Sequence, residues 1–413
     1  MAQKENVSFV VNKERFNYLL DLYNITKEEI ISRIHKNRVR PILDIETLNN
    51  IISGKEKIQL NVLKKIDSIF NQGISWYISK RPLPNKKESS ILFRKKAFNI
   101  ELNLESRKKI NKYEKLKFTI QNLCNSINYN NKITIQKYSV NDNPEVIANE
   151  MIVQFEEKRK FLLENKLIKK DIYGESRLYL KNLIRIIEEM NIFVFELLET
   201  HNKNERVNFD GFFIIPNIIV IKRQKYYKRE IFTLMHEFAH CLLNIEEVDE
   251  ISEQEIPMNT NKIEKWCNDF AFYFLLNGHK ERFNKLNYAT KKNNFHNSEI
   301  EYIYKNSFIS ATALYTRLRI EKKISQTDYQ NKIEEINNNI RRRQEREKNL
   351  FQEKKQMALE AGKKPPGGPP RAIESNLFKD IVKINYFQGN ISESEARKHL
   401  KISGKKNIEE VGF

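Results

Sequence analysis

The chain has 413 residues, of which 40% are hydrophobic and 31% charged. This balance excludes a disulfide-stapled miniprotein and predicts a soluble globular protein of two or three domains rather than a disordered or membrane-embedded one. Lysine and arginine number 73 against 54 aspartate and glutamate, a net charge of +19 that favours contact with nucleic acid or another polyanion and is silent about fold.

No apolar run approaches the roughly 18 residues that a bilayer-spanning helix needs, so no membrane partner is expected. The N-terminal stretch lacks an apolar core of signal-peptide length. Cys124, Cys241 and Cys267 form no CxxC pair. Such free thiols suit a reducing compartment, and the expected location is the cytoplasm.

In chain order, residues 1–85 are expected to form a helix-turn-helix module. Phe16, Leu19 and Leu20 make the apolar stripe of its first helix. Thr26 and Glu29 have capping-box spacing for the second, with Ile30, Ile31 and Ile34 facing inward. A third helix runs through Leu48 and Ile51 to a stop at Gly54, and a fourth from Leu60 to Phe70. Residues 86–144 read as a basic linker region with one or two helices.

From 145 to 330 the pattern changes. Helical stretches at 147–165 and 175–190 lead into the apolar runs Ile192–Leu197 and Ile214–Ile221, short and β-branched enough to be strands. Fold class α+β, mainly helical with a small sheet, follows. The run Ile218–Ile221 is equally readable as an edge strand open to an extended substrate segment or as a fully paired inner strand. Residues 331–371 form a charged helix and a Pro/Gly linker, and 372–413 a helical hairpin with a stop at Gly389 and a second capping box at Ser392 and Glu395.

The segment Ile231–Leu243 (IFTLMHEFAHCLL) carries the chemistry. His236 and His240 stand four apart, on one face of a helix and about 6 Å from each other, so both imidazoles can reach one tetrahedral ion, while Glu237 projects beside it. Buried without partners, these groups would cost several kcal/mol. A catalytic zinc usually takes three protein ligands. The third is sought on the apolar-striped helix Lys262–Leu276, where Glu264 borders the stripe and Asp269 is the competing carboxylate. Glu264 is preferred.

The run from Phe209 to Ile221, the HExxH segment and Glu264-Lys-Trp-Cys-Asn268-Asp-Phe270-Ala271 together resemble the ImmA/IrrE family of bacterial metallopeptidases. Its members show a strand ahead of an F-T-x-x-H-E-x-x-H helix and an E-x-x-A-N-x-F-A helix after it. The resemblance extends to Ser310–Leu318 and covers residues 145–330. Cys267 departs from the family's usual Ala, and Asn277-Gly278 from its Met-Pro.

The resemblance implies a zincin-like metallopeptidase domain flanked by an N-terminal Xre-like helix-turn-helix module and a C-terminal helical extension. His236, His240 and Glu264 would be the metal ligands, with Zn²⁺ the expected ion and Mn²⁺ the alternative. Glu237 would be the catalytic base, taking a proton from water and delivering it to the leaving amine. Tyr226, Tyr227, Tyr273 and His279 are the candidates for stabilising the oxyanion. It further implies a protein substrate, a helix-turn-helix repressor whose cleavage switches on stress, mobile-element or defence genes.

Lys36, Arg38, Arg40, Lys55 and Lys57 are suitable phosphate contacts should the N-terminal module bind duplex DNA, and equally suitable as solvated surface. Two rival readings remain. One is a DNA-binding regulator or antitoxin-like protein whose metal fold serves binding or sensing. The other is a phage-defence protease kept silent until triggered, with the extension 331–413 as its regulatory or oligomerising arm.

Overall fold

A computed structural model describes residues 7–35, 42–83, 101–172, 175–199, 202, 205–246, 248–249, 262–286, 297–364, 371–402 and 407–408. The chain divides into two compact units: Met1–Phe118 with Asn202–Asn208, and Thr119–His201 with Phe209–Phe413.

Among its described residues the first unit holds five short helices: α1 (Lys13–Tyr23), α2 (Lys27–His35), α3 (Ile45–Ser53), α4 (Leu60–Phe70) and α5 (Ile74–Ile78). Their ends follow local chemistry. The Asn12 side chain caps α1 by accepting from Arg15 N. Thr26 and Glu29 form the expected reciprocal box at α2, each backbone N–H bonding the other's side chain at 3.0 and 3.2 Å. Asp44 caps α3, which stops at Gly54 with φ +81°.

Phe16, Leu19, Ile30, Leu48, Leu63, Ile66 and Tyr77 bury at the centre of these helices. Ile31 and Leu20, expected inside, are only half-buried because i, i+3, i+4 spacing turns them aside. A two-residue antiparallel pair, β1 (Ser8–Phe9) with β2 (Ile58–Gln59), closes the unit. Lys36, Arg38, Arg40 and the residues 84–100 lie outside the described residues. Within the stretch expected as a linker, residues 104–126 form one 23-residue helix, α6 (Leu104–Ser126).

The second unit is α+β and mainly helical. Helices α7 (Pro144–Glu164) and α8 (Ser176–Glu188) precede a four-stranded sheet of β3 (Phe193–Leu197), β4 (Gly211–Ile214), β5 (Ile218–Lys222) and β6 (Val248–Asp249) in the order β3-β5-β4-β6. β5 runs parallel to β3 and antiparallel to β4, so it is an inner strand. Of the two readings of Ile218–Ile221, the fully paired one therefore holds, and the edge strand open to substrate does not. All four residues are buried, as a strand covered on both faces requires.

Against β4 and β5 packs α9 (Tyr227–Leu243), and against α9 and α7 packs α10 (Lys262–Leu275). Phe155, Phe238, Phe270 and Phe274 interlock where these three helices meet, with ring centroids 4.9–6.1 Å apart. Three helices follow: α11 (Lys280–Asn284), α12 (Asn297–Lys305) and α13 (Ala311–Ile320).

The charged stretch becomes α14 (Gln326–Glu360), 35 residues with Tyr329 its one buried side chain. The Pro/Gly residues 365–370 lie outside the described residues. Beyond them the chain returns to the sheet: Glu196 N donates to Ile373 O at 2.9 Å on β3. The expected hairpin is α15 (Asn376–Phe387) and α16 (Glu393–Leu400), with a left-handed Gly389 after the first and a Ser392–Glu395 capping box on the second. Phe378 packs on Phe195, and Asn385 donates to Leu123 O. Among the described residues no helix is long and apolar enough to cross a membrane.

Candidate metal centre

Helix α9 is apolar on nearly every side, and its residues from Glu230 to Leu243 are all buried. A helix of this kind belongs in the middle of a domain, so any polar side chain on it must find partners there. His236, Glu237 and His240 are each at most 2% exposed. Four-residue spacing puts the two imidazoles on one face, with ring centroids 4.9 Å apart and Nε2 atoms 3.1 Å apart.

Glu264 reaches the same point from the first turn of α10. Its Oε2 lies 3.1 Å from His236 Nε2 and its Oε1 3.1 Å from His240 Nε2. Among the described residues, this is the one group of three or more His, Cys, Asp or Glu able to hold an ion. Burial by itself would raise the Glu264 carboxyl, but the two facing imidazoles outweigh it and hold the group well below the usual carboxylate range.

The donor set fits a metal. His236 Nδ1 is 3.0 Å from Asn268 Oδ1, and only a protonated Nδ1 can bond an amide oxygen. The Nε2 lone pair of His236 is thereby turned toward His240 and Glu264. Ligand bonds of about 2.0–2.1 Å at tetrahedral angles separate ligand atoms by about 3.4 Å. The 3.1 Å spacings of this triad fall near that value.

Packing also fixes the two helices. The Trp266 indole donates to Asp142 O at 2.8 Å and stacks on Phe270, fixing the start of α10. From α13, Arg317 bonds Asp269, the Tyr273 hydroxyl at 2.5 Å and Glu321 at 2.7 Å. The competing carboxylate Asp269 is thus an ion-pair partner of Arg317, and the triad has Glu264 instead. The oxyanion candidates have the following contacts. Tyr226 accepts from Gln344 and Tyr273 from Arg317, His279 bonds Asn306 O, and Tyr227 lies under the Arg177 guanidinium.

Two contributors escaped the sequence reading. Asn268 stands in the sequence reading only as part of the motif run, with no role, although an amide one turn beyond a ligand is a signal for an orienting partner. Gly211, on β4, lies directly against Glu237. A Cβ there would come 2.7 Å from Glu237 Oε1, 2.8 Å from Thr233 Cγ2 and 2.9 Å from Glu237 Cγ. The strand backbone is the wall that the Glu237 side chain rests on, and only hydrogen fits between them.

Residues 187–309 match the family model Peptidase_M78, described as the IrrE N-terminal-like domain. The IrrE-like span runs from the end of α8 through the sheet, α9 and α10 and includes His236, Glu237, His240, Glu264, Asn268 and Gly211. It accounts for 123 residues, under a third of the chain. The match supports a metallopeptidase-type domain, and a zincin-like fold agrees with the helix-on-sheet arrangement described above. Comparison with curated proteins and with solved structures found no match.

Proposed function

We propose that the protein is a zinc-dependent endopeptidase that cleaves a partner regulatory protein, a helix-turn-helix repressor, to control stress, mobile-element or defence genes. The observation that carries this reading is the convergence of His236, His240 and Glu264 on one point, with the buried Glu237 next to His236 on the same helix. The IrrE-like span supports the peptidase part. The repressor rests on the family resemblance.

In this reading His236, His240 and Glu264 hold the ion, for which two imidazoles and one carboxylate suit zinc, with manganese the alternative. When bound, the ion supplies Lewis acidity toward water and the scissile carbonyl. The remaining work falls to the chain. Glu237, adjacent to a ligand but outside the triad, accepts the proton of the attacking water and returns it to the leaving amine. Gly211 and Thr233 confine its carboxylate, so the base does not have to be ordered at the moment of reaction. Asn268 keeps His236 in the tautomer that presents Nε2.

The N-terminal unit supplies the localisation. Residues 1–118 carry 25 lysines and arginines against 13 acidic residues, which suits either duplex DNA next to the repressor or the repressor itself. The test is co-expression of wild type and Glu237→Gln with neighbouring helix-turn-helix proteins. A fragment made only by the wild type, with metal bound in both, is expected. General-base loss should lower cleavage by about 10²–10⁴-fold. Metal retained in both without any fragment would overturn the reading in favour of a DNA-binding regulator.

A further inference from the structure

A cavity of about 590 Å³ opens among α7, α8, the end of α10 and the turn at 306–308. It is separate from the metal triad. Glu264 and Phe274 stand ten residues apart on α10, about 15 Å along a helix axis. Its volume lies in the range of small-molecule sites, about 300–1,000 Å³.

The walls and the rim differ in chemistry. Ile152, Ile168 and Phe308, each half-buried, give the cavity an apolar wall, with the buried Phe155, Phe274 and Leu275 behind it. Arg159 lines it too, but its charge is used locally: the guanidinium pairs with Asp171, stands 3.4 Å from Glu156 and lies over the Tyr179 ring. Asp171 also accepts from Asn182 at 2.6 Å. Glu156, Arg159 and Asp171 together carry one negative charge, and Lys169 and Lys170 at the rim bring the lining to a net +1. Both are exposed and, among the described residues, neither is in an ion pair.

An apolar wall below two uncommitted ammonium groups selects for a ligand with a hydrophobic body and one anionic end. We propose that this cavity is a binding site for a small organic anion with an aromatic body, an aryl carboxylate in its simplest form. The ring packs against Ile152, Ile168 and Phe308, and the carboxylate meets Lys169 and Lys170. Behind this wall Phe155 packs on Phe238, a residue between the two histidines on α9, at 5.4 Å between centroids. Calling the ligand an effector rests on the peptidase reading, whereas the binding itself does not.

Calorimetric titration of the full chain tests the proposal without any activity assay. The probe is 2-naphthoate, compared with neutral 2-naphthylmethanol and with acetate, which has no ring. One saturable site for naphthoate is expected, with at least about tenfold weaker binding of the alcohol and no measurable binding of acetate. The double change Lys169→Glu and Lys170→Glu, both on the surface, should weaken naphthoate by at least about tenfold. Ile168→Trp, which fills the cavity, should abolish binding with the melting temperature maintained. Absence of saturable binding to wild type, or equal affinity in the lysine and tryptophan variants, overturns the assignment. If naphthoate binds but Glu237→Gln and wild type are equally inactive on every repressor, the peptidase reading fails and the cavity assignment stands.

Discussion

Helices α9 and α14 are opposite uses of the same secondary structure. α9 has 17 residues, and all from Glu230 to Leu243 are buried, two of the polar ones, His236 and His240, within a few ångströms of Glu264. α14 has 35 residues and buries only Tyr329; its charges pair along its own surface, as in Arg343 with Glu347. The same kinds of charged side chain therefore have different energetic weight. On α14 they remain in water, where an ion pair is worth little. On α9 and α10 they have lost water, so each must be satisfied by a specific partner.

The largest effect that should divide these regions is removal of a triad member. Glu264→Ala should lose stoichiometric zinc by elemental analysis. It should also lose the drop in melting temperature that a chelator causes in the wild type, a linkage of about 4 kcal/mol at a thousandfold excess of ligand over Kd. Stoichiometric zinc in this variant would break the comparison at its centre.

Next comes Gly211→Ala. Its new methyl must displace the Glu237 carboxylate or the strand, costing about 1–3 kcal/mol in denaturant unfolding. Cleavage should fall while zinc content is maintained, because Glu237 is outside the triad. Wild-type stability and cleavage would show that the wall is not needed.

A comparable but pH-dependent effect belongs to Glu188. Burial pushes its carboxyl up to about 7, against opposing hydrogen bonds from Ser375 and Asn376 and the charge of Arg185. The folded chain holds this proton more tightly than the unfolded one. Its stabilising contribution is therefore complete below the ordinary glutamate range and is lost as pH rises through about 7. Glu188→Gln should flatten the fall in stability between pH 5 and 8 by on the order of 2–3 kcal/mol. An unchanged pH profile would place the charge of Glu188 elsewhere.

The smallest effect is expected on α14. Arg343→Ala should change stability by less than about 0.5 kcal/mol in chemical denaturation. A larger loss would mean that this helix face is covered in solution.

Much of the site was legible because helical spacing is a local property. His236 and His240 four apart on an apolar helix required only the 3.6-residue period. Glu264 was legible as a carboxylate beside a buried stripe, and the Arg317 ion pair of Asp269 explains why the other carboxylate is absent from the triad. The strand runs were visible as well, but their order was not: nothing local distinguishes a strand paired on one side from β5, which is paired on both.

The sequence by itself determined the helix periods, the caps at Thr26, Gly54 and Ser392, and the residue types able to bind an ion. Each depends on neighbours within about four positions. Only the tertiary structure decided that α10 delivers Glu264 to α9, that Asn268 orients His236 across 32 positions, and that Gly211 backs Glu237 across 26. Those contacts arise from packing helices on a sheet, where the partner of a buried polar group is set by which surfaces meet and carries no spacing that a linear reading can detect.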